Sequence, residues 1–360
     1  MDAGAALREV LRDLLTRHAG SAAVRAAIAT PDGYDRGLWA RLCGEVGVAG
    51  LAIPEKYGGA GAGLRETHIA LEELGRVLAP SPMLGSAVIA AQALLLAGDA
   101  GACERLLPGI ADGTRIAALA WTGRAGGWSA EEVACQATTA GVLHGEAHYV
   151  LDGDHADTLL AVAHSPAGLR LYEVDTADPG LDRCVTPAMD LTRRLARVVL
   201  RGAHGRRLGD RFPLDQLRDI ACVALSAEQV GAAARALELT VDYARSRVQF
   251  GQPIGGFQAL QHRLADLYVL VESARSASAA AVDAEHPADA AVLAAVAKVC
   301  CSETLQQVAA EMIQLHGGIG ITWEHDTHLY FKRAHGAAHL LGSPQDHLAR
   351  LSAAMIDRGP

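Results

Sequence analysis

Arg245-Ser246-Arg247-Val248-Gln249-Phe250-Gly251-Gln252-Pro253-Ile254-Gly255-Gly256-Phe257-Gln258-Ala259-Leu260-Gln261 is the stretch whose reading decides the fold. A long helix-periodic run enters it and another leaves it. Gly251 is entropically poor in a helix and Pro253 lacks a backbone N–H, so together they interrupt any continuous helix. Arg245 and Arg247 stand just before the break, where cations suit the negative end of a helix. The Arg247 guanidinium also offers a fork of donors that matches a phosphate. Phe250, Phe257, Gln258 and Gln261 add flat apolar and amide groups able to line a cofactor. On spacing alone, an interhelical corner with an Arg cap is the plainer account.

Working outward, Arg247 to Ile254 together with Phe257, Gln258 and Gln261 resembles the signature of the acyl-CoA dehydrogenase family. Gln314-Leu315-His316-Gly317-Gly318-Ile319-Gly320, followed by Thr322-Trp323-Glu324, resembles that family's other C-terminal motif. Pro54-Glu55-Lys56-Tyr57-Gly58-Gly59 extends the likeness to the start of the chain. The string Ala227-Glu228-Gln229-Val230-Gly231 is similar to bacterial members that degrade sterol side chains. Some of those subunits lack a catalytic base.

Composition narrows the alternatives. Of 360 residues, 50% are hydrophobic yet only 4% are aromatic, which suits helices packed through small side chains. The net charge of −9 comes without a basic block, so nucleic acid is not an expected partner. The seven cysteines include adjacent Cys300 and Cys301 but no CxxC, which predicts reduced, buried thiols and a cytoplasmic setting. No segment approaches 18 uninterrupted apolar residues with suitable flanks, so no membrane span is expected, and Met1-Asp2-Ala3-Gly4 lacks the charged start of a leader. The histidines near the C-terminus do not pair at metal-ligand spacing, so no metal is expected.

The pattern along the chain is helix, then strand, then helix. Leu7, Val10, Leu11 and Leu14 recur at helical spacing, and so do Ile69, Leu71, Leu74 and Val77. After Pro108-Gly109 the reading changes to short strands: 116–121, 142–143, 148–151, 158–162, 169–174 and 197–201. Helix returns with Asp215 as N-cap. It is predicted over 217–247, 257–284, 288–315, 327–341 and 344–356. The class is mainly α, with an N-terminal helical domain (1–113), a middle β domain (114–205) and a C-terminal helical bundle (206–360).

The resemblance implies FAD bound across a subunit interface, a homo- or hetero-oligomer (dimer or tetramer), and an acyl-CoA or acyl-carrier thioester as substrate. It also implies an electron-transfer flavoprotein as acceptor. The expected reaction removes the α-proton and passes the β-hydrogen as hydride to flavin N5, giving an α,β-unsaturated thioester with a bulky, steroid-type acyl group. Alternatives are a non-catalytic partner subunit of a heteromeric dehydrogenase, and a flavin oxidase or monooxygenase on the same scaffold.

Carried over residue by residue, Arg247 and Phe250 fall at the pyrophosphate and adenosine, and Gln258 and Gln261 along the same channel. Gln314, Gly317 and Gly318 fall beside a neighbour's FAD. Where the family has Thr-Glu-Pro-Gly-Ala-Gly-Ser-Asp beside the flavin, this chain has Trp121-Thr122-Gly123-Arg124-Ala125-Gly126-Gly127-Trp128. Trp121, Thr122 and Tyr149 are thus candidate flavin contacts, as are Ser343 and Gln345 near the C-terminus. Glu324 is expected to cap the next helix.

A desolvated carboxylate suits proton abstraction, because burial raises its pKa. The family's two usual base positions are Ala221 and Leu341 here. Glu228 lies seven residues after Ala221, two turns along the same face and roughly 10 Å further on. Its helix neighbours Ala224, Leu225, Gly231 and Ala232 bring no cation. Glu228 is therefore the candidate base, and a structural carboxylate paired with a distant Arg or Lys is the competing account.

Overall fold

The computed structural model describes residues 3–357. Six helices come first: α1 (Ala3–His18), α2 (Ser21–Ile28), α3 (Arg36–Arg41), α4 (Leu64–Arg76), α5 (Ala91–Ala97) and α6 (Ala100–Ala111). A π-helical segment, Met83–Ala90, runs directly into α5 and is buried at every position.

The middle of the chain is a seven-stranded sheet: β1 (Ala117–Ala120), β2 (Gln136–Ala137), β3 (Val142–Leu151), β4 (Thr158–Ser165), β5 (Gly168–Val174), β6 (Leu181–Val185) and β7 (Leu195–Leu208). The order is β1-β4-β2-β3-β7-β5, with β5 pairing back to β4 and β6 on β7. That return closes β4, β2, β3, β7 and β5 into a ring, with β1 and β6 added at its side. Small side chains such as Ala118, Ala147, Ala161 and Ala163 fill the interior with Leu143, Leu159 and Val198. The sequence reading missed β2 and β6; the first has two residues, and the second, Leu-Asp-Arg-Cys-Val, is largely exposed.

Helix resumes as α7 (Leu214–Ser246). It ends in a hairpin of β8 (Val248–Gln249) and β9 (Gln252–Pro253), followed by α8 (Gln258–Val282), α9 (Pro287–His316), α10 (Thr327–His339) and α11 (Pro344–Asp357). The decisive break is thus a tight hairpin. Its two turn residues, Phe250 and Gly251, both take positive φ (54° and 81°), as the hairpin-favouring turn requires. A bulky residue seldom adopts that φ, and here it leaves Phe250 92% exposed.

Two capping expectations fail. Pro213 holds the N-cap position of α7, while Asp215 sits in the first turn and pairs with Arg218 at 2.8 Å. Asp326 holds the N-cap position of α10 and accepts from Ser21 (2.6 Å) and Arg25 (2.8 Å), so Glu324 does not cap it.

α7 is long and apolar enough to cross a membrane, yet 83% of its most apolar window is buried inside the fold. It is the core helix, packed on α4, α8, α9 and the π-helical segment. Its approach to α4 is as close as backbones allow. A Cβ on Gly75 would run into the backbone of Glu228, and one on Gly231 into the backbone of Glu72. Around this crossing, buried Glu72 and Glu73 are neutralised from outside by Arg8 (2.8 Å to each) and Arg12 (2.7 Å to Glu73).

Gly231→Ala should therefore force the two helices apart. We expect a loss of at least about 2 kcal/mol, read as a fall in the thermal midpoint, with retained helical circular dichroism.

Candidate active site

The site forms where the end of α10, the start of α7 and the β domain meet. After α10, Leu340 is extended, and Leu341 (φ 65°) and Gly342 (φ 99°) turn the chain into α11. Ser343 donates its N–H (2.8 Å) and hydroxyl (2.7 Å) to Asp346, locking the start of α11 and holding the Asp346 carboxyl below its usual range. His347 Nε2 donates to Leu341 O (2.8 Å), while Arg350 donates to His347 Nδ1 (3.0 Å) and to Asp219 (2.7 Å). Burial pulls His347 down to about 4, so the ring is neutral and serves both bonds at once.

The opposite wall comes from the connection between β1 and β2. Trp128 packs edge-on against Trp121, with centroids 5.3 Å apart at 77°. Tyr149, at φ 55°, lies beside Gly126, where an added Cβ would sit 3.6 Å from its ring. Between the walls is a cleft of about 320 Å³ lined by Gly126, Trp128, Arg218, Leu341, His347 and Arg350 among others. The Trp128 indole N–H and the Thr122 hydroxyl are buried without a hydrogen-bond partner. Such groups are costly to leave unmet, so they suit a polar ligand.

Neither usual base position offers a proton acceptor. Ala221 and Leu341 are both fully buried. Cys222, next to Ala221, places its sulfur 3.9 Å from His347 Nε2, but burial pushes the thiol up to about 11, keeping it protonated.

Glu228 points elsewhere. Its Oε2 accepts from Arg193 and, at 3.5 Å, from Arg333, in a narrow crevice that also contains Asp152, Tyr34 and Thr192. Arg333 in turn binds Asp190 (2.9 Å) and the Thr192 hydroxyl and carbonyl. The cations absent from the helix face arrive from the β6–β7 connection and from α10.

At the far end of α7, Tyr243 stacks on His316 (4.3 Å, 23°), which brings the hairpin beside the second glycine motif. Arg247, Phe250, Gln258, Gln314, Gly317 and Gly318 are all exposed there, and an added Cβ on either glycine would meet open space. Gln261 is occupied in part, donating to Gly255 O at 2.9 Å. Gln345 is exposed on α11. Arg247 lies twenty-nine positions beyond Arg218, about 44 Å along the helix axis. The cleft and the exposed hairpin thus lie at opposite ends of α7.

Two family models match the chain: the acyl-CoA dehydrogenase N-terminal domain over residues 2–114 and the C-terminal domain over residues 219–356. Acyl-CoA dehydrogenase IpdE2 of Mycobacterium tuberculosis is 46% identical over 345 residues, covering 96% of this chain and 95% of that protein. The chain belongs to the acyl-CoA dehydrogenase family. Among solved structures, this acyl-CoA dehydrogenase is similar to the Tcur3481–Tcur3483 steroid ACAD (33% identity, TM-score 0.90, 98% of each chain). It is also similar to the ChsE4–ChsE5 complex from Mycobacterium tuberculosis, at 30% identity and TM-score 0.91, over 99% of this chain and 98% of that one.

Enzymes of this family are FAD-dependent, and the residues present fit the cofactor. The unpartnered Trp128 indole N–H offers a polar contact at the cleft, and exposed Arg247, Gln314 and the open glycines suit a nucleotide at the other end. Trp128, Arg218, His347 and Arg350 were not singled out from the sequence. His347 and Arg350, three apart on one helix, were the one available signal.

Two predictions belong to this geometry. Arg247→Ala should cost about 1.5–3 kcal/mol of FAD affinity, measured by flavin titration of the assembled protein. The second concerns Asp152, which burial pushes up to about 7 against the pull of His155 and Arg193. The folded chain keeps a proton that the unfolded chain loses above about pH 4, so this group's contribution fades as pH rises from there through 7. Asp152→Asn should raise the thermal midpoint at pH 8, with the gain growing between pH 4 and 7.

Proposed function

We propose that this chain is the subunit of a heteromeric, FAD-dependent acyl-CoA dehydrogenase that shapes the site while a partner subunit supplies the α-proton base. The carrying observation is the chemistry of three positions. Ala221 and Leu341 stand where carboxylates would, and Glu228 is tied to Arg193 and Arg333 outside the cleft. A base must reach the α-carbon, and Glu228 faces the Asp152 crevice instead. Glu228 then serves as an anchor joining α7 to the β domain and α10, rather than as the base its place on α7 suggests.

The separation of cleft and hairpin supports an assembly of at least two chains, in which the hairpin end of one would complete the flavin cleft of another. The relatives crystallised as the ChsE4–ChsE5 and Tcur3481–Tcur3483 pairs favour a hetero-oligomer, and the second is a steroid ACAD. A bulky, steroid-type acyl thioester is accordingly the proposed substrate, with an electron-transfer flavoprotein as acceptor. When bound, FAD supplies the hydride acceptor for the β-hydrogen.

Glu228→Gln separates anchor from base. As an anchor, the variant loses about 3–5 kcal/mol of stability, while the surviving assembled enzyme reduces its flavin at near the parent rate under single turnover. A slowing of roughly 10²-fold in a protein of unchanged stability would assign Glu228 as the base after all. The chain purified alone and supplied with FAD should leave the flavin oxidised when mixed anaerobically with a steroid-type acyl-CoA. Full-rate reduction by the lone chain would overturn the partner-base reading.

A further inference from the structure

Among the described residues, Lys298 is the largest side chain that the fold buries completely. Burying an ammonium is expensive unless it is fully hydrogen-bonded, so its surroundings must reward it. From α9 it donates to Ser302 Oγ (3.0 Å) on its own helix, and to Ala337 O (3.2 Å) and Ala338 O (2.9 Å) on α10. The last carbonyls of a helix have no partner within it. Many helices satisfy them with a left-handed glycine, but α10 ends in extended Leu340, so that route is closed. A cation at this end also meets the negative pole of the helix. The residues that follow at once, Leu341 and Gly342, wall the cleft and are tied on their other side by His347.

We propose that Lys298 is a positioning residue of the site: by holding the last turn of α10 from behind, it fixes the Leu340–Ser343 loop that walls the cleft. The assignment rests on this loop bordering the reaction site, as the fold and family place it, and is independent of which subunit supplies the base. Lys298 touches neither substrate nor cofactor. It acts through the backbone that presents the loop.

The groups facing the ammonium are Cys222 from α7, Cys301 from α9, and Asp346 and His347 from α11, while α10 presents carbonyls. Burial pulls Lys298 down to about 8, with the thiols and Asp346 opposing only in part. Opening the clamp returns the amine to water and to its ordinary value near 10.4, so opening takes up a proton in the interval between. The sign follows. The loop should open less readily as pH rises from about 8 towards 10.

The test is deuterium exchange of the chain, followed by peptide over residues 333–347 and corrected for intrinsic rates at each pH. In Lys298→Met, which keeps length but has no donors, exchange in this segment should quicken roughly tenfold while α1, α4 and the sheet stay protected. Lys298→Gln retains an N–H₂ donor and should restore part of the protection. The parent should gain protection between pH 8 and 10, and the Met variant should show no such slope. Unchanged exchange in Lys298→Met, uniform loosening of the whole chain, or a parent without the slope would each overturn the assignment. If Lys298→Met does not fold, the Gln variant and the parent pH series decide.

Discussion

Everything in this fold hangs on the backbone contact between α4 and α7 at Gly75 and Gly231. Helices normally pack 8–10 Å apart through their side chains. Two glycines that each leave room for the other helix's carbonyl allow a much closer approach. Because α7 is embedded this deeply, it is apolar on nearly every side. It can then serve both as the core of the C-terminal bundle and as the floor of the N-terminal helices. The charged ring of Glu72, Glu73, Arg8 and Arg12 seals the crossing from solvent. The Glu228 cluster, one turn from Gly231, ties the same point to the sheet.

Chemistry sits at the ends of that helix rather than along it. One end contributes Arg218 to the cleft bounded by Trp128 and Leu341, and the other carries Arg247 and the exposed Phe250 hairpin. Val248, Ile319, Ile321 and Trp323 are exposed alongside Phe250. The motifs most recognisable in the sequence thus lie at an exposed end of the chain.

The long helices were legible because their period and their breaks agree. Pro213, the Gly251–Pro253 pair and His286-Pro287 put the predicted ends of α7, α8 and α9 within three residues of those observed. The sheet was legible only in its apolar strands; β6 carries Asp182, Arg183 and an exposed Cys184 and offers no alternation to read. The site was harder. Arg193 and Arg333 reach Glu228 from 35 and 105 residues away, so no local pattern could reveal that its apparently cation-free helix face was occupied. The hairpin itself read as a plain corner, since nothing in Gln249-Phe250-Gly251 announces that a phenylalanine will take a left-handed turn.

The rigidity of α7 also constrains how such a sequence can change. Along a continuous helix, one inserted or deleted residue moves everything beyond it by about 1.5 Å and turns it by about 100°. Either would swing Arg247 away from the face it shares with Tyr243 and His316 while leaving Arg218 in place. The length of this helix is as constrained as its packing. It works as a ruler whose two marks must keep both their separation and their bearing.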